Sequence, residues 1–83
     1  PGVDVVAAAR QLHAVPGVRA VHDLHIWTVT SGIEAASVHV VVEDDVDWHA
    51  VLDRTRQILT ENYGVTHPTI QLEPEEHIEQ PAC

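Results

Sequence analysis

Lysine, methionine and phenylalanine are absent from this 83-residue chain, and cysteine occurs once, at the last position, Cys83. A single cysteine excludes an internal disulfide framework. Without lysine, four arginines face thirteen acids, and the formal charge is −9. Nucleic-acid readers need a basic footprint and anionic membrane surfaces attract basic segments, so neither partner suits this balance. Aromatic residues are limited to Trp27, Trp48 and Tyr63, which leaves Val, Ile, Leu and Ala to build the core. No window reaches the ~18 apolar residues of a membrane span, and none has the form of a signal peptide. The chain opens on Pro1-Gly2 rather than methionine, which reads as a cut through a longer protein and makes this an excised soluble domain.

Apolar residues make up 45% of the chain, too large a share for a disordered tail. The length suits one small domain, and a chain of this size buries only about 60% of the surface its unfolded form exposes. Such scaffolds are commonly completed by a metal or a partner subunit. The acids serve mostly to keep a small domain soluble, but together with seven histidines they form a surface that attracts cations.

The order of elements follows from caps and periodicity. Asp4 is placed to cap a helix in which Val5, Ala8, Ala9, Leu12 and Val15 recur at helical spacing, and Pro16-Gly17 stops it. The β-branched run from Val18 to Thr30 reads as a long strand, Ser31-Gly32 as a hairpin turn, and Ile33 to Val42 as the returning strand. After the acidic loop Glu43-Asp44-Asp45, Asp47 caps a second helix whose stripe is Val51, Leu52, Thr55, Ile58 and Leu59, ending near Asn62 and Gly64. His67 to Leu72 makes a short third strand, and residues 75–83 read as a flexible tail behind a domain spanning 1–74. The α-β-β-α-β order predicts an α+β open sandwich of ferredoxin-like type, short of one strand, with two helices on one face of a three-stranded sheet. A partner subunit is expected to cover part of the other face.

The hairpin places the candidate ligands. With Ser31-Gly32 alone as the turn and an unbroken ladder, Leu24 faces His39 and His22 faces Val41. His22 and His39 are then diagonal neighbours on one face, within about 7–8 Å between backbones. Two imidazoles at that spacing reach one ion, or are satisfied by neighbouring backbone and water. His25 is expected on the opposite face, and a one-residue change of register overturns the whole assignment. His67 and Glu73 share a face of the third strand but lie about 20 Å apart along it, so they belong to different neighbourhoods. His49, in the first turn of the second helix beside the acidic loop, is a candidate ligand or a solvated surface histidine. His77 and Cys83 form a candidate imidazole–thiolate arm. No glycine-rich phosphate loop, paired-cysteine motif or nucleophile elbow is present, and catalysis is not indicated.

The stretch VHDLHIWTVTSG (Val21 to Gly32), followed by ASVHVVVE (Ala36 to Glu43) and closed by HPTIQLEP (His67 to Pro74), resembles the cytoplasmic C-terminal domain of cation diffusion facilitators, the efflux transporters of zinc and related divalent metals. The resemblance implies six membrane-spanning helices before Pro1, with transport and proton coupling located there. It places this domain on the cytosolic side of a membrane, paired with its twin, where bound metal draws the two domains together and favours the transporting state. It implies Zn²⁺, or Cd²⁺, Co²⁺ or Ni²⁺, held by His22 from the first strand, His39 from the second and Glu73 at the end of the last. His49 matches a further ligand of some bacterial members. Gln71 stands where those members carry a histidine, with His67 as the nearby substitute, and His77 and Cys83 echo the tails of some relatives. Two rivals remain beside this reading: a regulatory module that senses an organic ligand, and a purely structural dimerisation domain.

Overall fold

The computed structural model describes residues 4–75. The elements are α1 (Val5–His13), β1 (Val18–Thr30), β2 (Ile33–Val42), α2 (Trp48–Tyr63) and β3 (Val65–Pro74), in the predicted α-β-β-α-β order. The sheet runs β1-β2-β3, antiparallel across the hairpin and parallel across the α2 crossover, so it is mixed.

Both helices start where a carboxylate satisfies free N–H groups. Asp4 accepts from Ala7 N at 3.0 Å, and Asp47 accepts from His49 N at 2.9 Å and Ala50 N at 3.2 Å. Gly64 closes α2 with φ 68°, a left-handed cap that glycine takes without a Cβ penalty. Gly17, at φ 94°, turns the chain from α1 into β1 where a Cβ would stand 2.6 Å from Val46 Cγ1.

The core lies between one sheet face and the two helices. Leu12 comes from α1 and Val15 from the turn just beyond its end rather than from the helix itself, Val51, Ile58 and Leu59 from α2, and Val38, Val40 and Val42 from the middle strand. Val5 does not join them: it stands at the exposed start of α1. The third strand begins earlier and ends later than the alternation from His67 to Leu72 suggests. An irregularity where Glu34 pairs with Val65 and Ala35 with His67 lets Val65 reach the core, and the alternation then restarts with Ile70 and Leu72 inward. The tail residues His77 and Cys83 lie outside the described residues.

The hairpin register departs from the unbroken ladder. Thr30 does pair with Ile33, but shifts follow between Thr28 and Thr30 and between His22 and His25. As a result His22 pairs with His39, Val21 with Val40 and Ala20 with Val41, so Leu24 does not face His39 and His22 does not face Val41. His25 pairs with Ser37, two residues from His39 on the same strand, and therefore shares the face of His22 rather than the opposite one. The first shift puts His25 on the face of His39, and the second, at Asp23 with its φ of 57°, is a bulge that exchanges the faces of β1 again and brings His22 onto that same face. Val21 before the bulge, and Leu24 and Ile26 after it, all pack against the core.

Candidate metal centre

The face of the sheet away from the helices carries the polar side chains. His22 and His39 stand directly opposite one another on adjacent strands, with ring centroids 5.0 Å apart and planes tilted by 33°. Glu73 reaches them from the end of β3, where it pairs with Val41, two residue pairs beyond the row that joins His39 to Gln71. Its Oε1 lies 3.2 Å from His22 Nε2 and its Oε2 lies 2.5 Å from His39 Nδ1. Gln71 Nε2 is 3.4 Å from the same Oε2. One carboxylate therefore bridges two imidazoles supplied by the other two strands.

Glu73 is an unusual residue to find so placed, because it is only 7% exposed while both rings remain partly open to solvent. A buried carboxylate needs hydrogen bonds or positive charge. The hydrogen bond from His39 is the largest influence and holds the carboxyl below the ordinary glutamate value. Burial pushes the other way, and the His22 hydrogen bond and the coulombic attraction of the two rings add to the lowering.

The donor set fits a divalent ion. One ligand atom from each of His22, His39 and Glu73 lies within 4.8 Å of the others. Donors about 2.0–2.1 Å from a tetrahedral zinc stand roughly 3.3 Å from one another, so small side-chain rotations bring these three onto one centre. Two nitrogens and one oxygen with a position left open suit a borderline-soft cation, and an ion there takes over the place of the protons now shared between rings and carboxylate.

Among the described residues the other candidates, His67 and His49, are not part of this cluster. His67 is exposed and pairs with Ala35, six residues along β3 from Glu73, in agreement with the separate neighbourhoods expected from strand length. His49 lies exposed in the first turn of α2, on the helical layer. One participant carried no functional reading in the sequence: Asp23, whose Oδ2 is 3.2 Å from His22 Nδ1. An aspartate inside a β-branched run is the signal that marks it, because aspartate is depleted in strands and tolerates the left-handed conformation of a bulge.

Residues 1–75 match the family described as the cation efflux protein, cytoplasmic domain. This chain belongs to that family. The cation efflux domain is 43% identical over 72 residues to the metal cation efflux system protein CzcD of Cupriavidus metallidurans, covering 86% of this chain and 23% of that protein. It is 40% identical over 77 residues to the cadmium, cobalt and zinc/H⁺–K⁺ antiporter of Bacillus subtilis, covering 90% of this chain and 25% of that protein. The chain thus spans about a quarter of the length of these relatives.

Among solved structures, the metal-bound C-terminal domain of CzcD from the same bacterium superposes with a TM-score of 0.78 at 43% identity, covering 86% of this chain and 99% of that one. The zinc form of CzrB agrees in fold, with a TM-score of 0.71 at 21% identity over 98% of this chain and 97% of that one. The cation efflux domain therefore has the three-stranded, two-helix ferredoxin-like fold of these transporter domains. Among its described residues no helix is long and apolar enough to cross a membrane.

Proposed function

We propose that this is the regulatory cytoplasmic domain of a divalent-metal efflux transporter, binding zinc through His22, His39 and Glu73 and pairing with a second copy to favour the transporting state. The observation that carries the reading is the convergence of those three donors from three strands on one point. CzcD, whose C-terminal domain has been seen with metal bound, is the relative whose name supports a cation as the ligand. The transporter's membrane portion and its cytosolic orientation belong to the same proposal.

The electrostatics give the ion a second task. Each copy carries a formal charge of −9, so two copies brought together repel. A cation bound on the open sheet face lowers that repulsion, and a state with metal bound is populated at the expense of the separated one. The exposed Trp27, which pairs with Ala35 on the same face as His39, offers apolar surface for such a contact. His49 and His67 remain outside the proposed first set of ligands, and Gln71, donating to Glu73, fits one ion per protomer rather than a bridged pair.

Zinc titration followed by thermal unfolding tests this. A ligand at a hundred times its dissociation constant stabilises by about 2.7 kcal/mol, which raises the midpoint of a domain this size by roughly 10–20 °C. The double variant His22→Ala, His39→Ala is expected to lose nearly all of that rise. Acidification is expected to weaken binding, since the donors have to be deprotonated to hold the ion. An undiminished rise in the double variant discards the site.

A further inference from the structure

Among the described residues, Asp23 is the one non-glycine with positive φ, at 57°. It sits where the β1–β2 ladder shifts between the His22–His39 pair and the His25–Ser37 pair. Glycine would meet the backbone requirement with least strain; asparagine and aspartate are the side chains that tolerate it best. The choice of an acid adds something glycine lacks. Asp23 Oδ2 lies 3.2 Å from His22 Nδ1, while Nε2 of the same ring lies 3.2 Å from Glu73 Oε1. The imidazole is held by a carboxylate on each side, one of them within the donor cluster and the other outside it.

A ring that coordinates through Nε2 keeps its proton on Nδ1, and that proton needs an acceptor aligned with the ring plane. We infer that Asp23 is the positioning residue for His22: it accepts the Nδ1 proton, fixes the tautomer that presents Nε2, and holds the ring on the Glu73 side. This role rests on the metal-binding reading above. The bulge and the acceptor belong to the same residue, so one side chain sets both which face His22 occupies and which nitrogen it offers. Asp23 contributes no donor to the ion itself.

Two variants separate the backbone role from the acceptor role. Asp23→Gly accepts the positive φ and removes the acceptor. Asp23→Asn accepts the φ and keeps an amide oxygen for the Nδ1 proton. Zinc affinity is measured by competition with a chromophoric chelator, after each variant has shown cooperative unfolding in the metal-free state. Long-range ¹H–¹⁵N correlation spectra of the zinc-loaded proteins report the His22 tautomer. The expected result is a loss of about 10–100-fold for Asp23→Gly, recovery of most of it in Asp23→Asn, and an Nδ1–H tautomer for His22 in the zinc-loaded parent. Equal affinity in Asp23→Gly and the parent, an Asp23→Asn as weak as Asp23→Gly, or a His22 proton on Nε2 would each overturn the inference while leaving the metal centre standing. A parent protein that binds no zinc removes the centre, and the positioning role with it.

Discussion

His22 and His39 form one directly opposed pair of the β1–β2 ladder, their ring centroids 5.0 Å apart, because two one-residue shifts, one between Thr28 and Thr30 and one at the Asp23 bulge, carry His22 from Val41 to His39. Across an unbroken two-residue hairpin the same rings are diagonal neighbours. Together the two shifts convert a loose proximity into a facing pair and leave the carboxylate of Glu73 between the two rings.

A histidine scan is the first check on that geometry. Single substitution of His22 or His39 by alanine is expected to abolish most of the zinc-dependent rise in unfolding midpoint. His25→Ala, His49→Ala and His67→Ala are expected to keep it, because none of these side chains joins the donor cluster. His25 is the informative control, since it shares the sheet face of His22 and differs only in its row. Differential scanning calorimetry with and without zinc reads the outcome.

Acid sensitivity in the metal-free protein follows from Glu73. Its native pKa is lowered chiefly by the His39 hydrogen bond, against the opposing effect of burial. A group with a depressed native pKa stabilises the fold fully above its unfolded value, about 4.3 for glutamate, and the contribution fades as pH falls through the lowered native value. Stability measured by urea unfolding in a chelator is therefore expected to decline below about pH 5, and the decline is expected to be shallower in Glu73→Gln. An identical pH profile in that variant contradicts the assignment.

Leu59 is fully buried in the core between α2 and the sheet. Truncation to alanine leaves a cavity with few ways to collapse in so small a domain, and the expected loss is about 2–5 kcal/mol. The urea midpoint should fall with an unchanged slope, since the surface exposed on unfolding is nearly the same.

Asp47 holds the first turn of α2 through two backbone donors, His49 N and Ala50 N. Asp47→Ala is expected to cost about 1 kcal/mol, and Asp47→Ser or Asp47→Asn much less, because both replacements still accept from the free N–H groups. Thermal unfolding of the three variants distinguishes a cap from a merely exposed charge.

Much of the fold was legible because its signals are local. Asp4 and Asp47 before apolar stripes marked both helix starts, and Ser31-Gly32 between β-branched runs marked the hairpin. The register was not legible, because each of two one-residue shifts exchanges the faces of everything that precedes it. The aspartate in the run HDLH marked the second shift, but its effect depends on a backbone conformation rather than on side-chain alternation. The start of β3 was lost for a similar reason: the irregularity ahead of His67 breaks the alternation that would have linked Val65 to Ile70 and Leu72. The convergence of Glu73 with two histidines depends on how β3 is staggered against β2, and that stagger is set by the α2 crossover rather than by any short motif.

The central claim is that His22, His39 and Glu73 hold one divalent ion. Anomalous diffraction at the zinc edge from crystals of the zinc-loaded protein tests it directly. A single strong peak is predicted about 2.0–2.1 Å from the facing nitrogens of His22 and His39, with a carboxylate oxygen of Glu73 completing the contact. Zinc bound elsewhere on the domain, with the His39–Glu73 hydrogen bond still intact, would contradict the account.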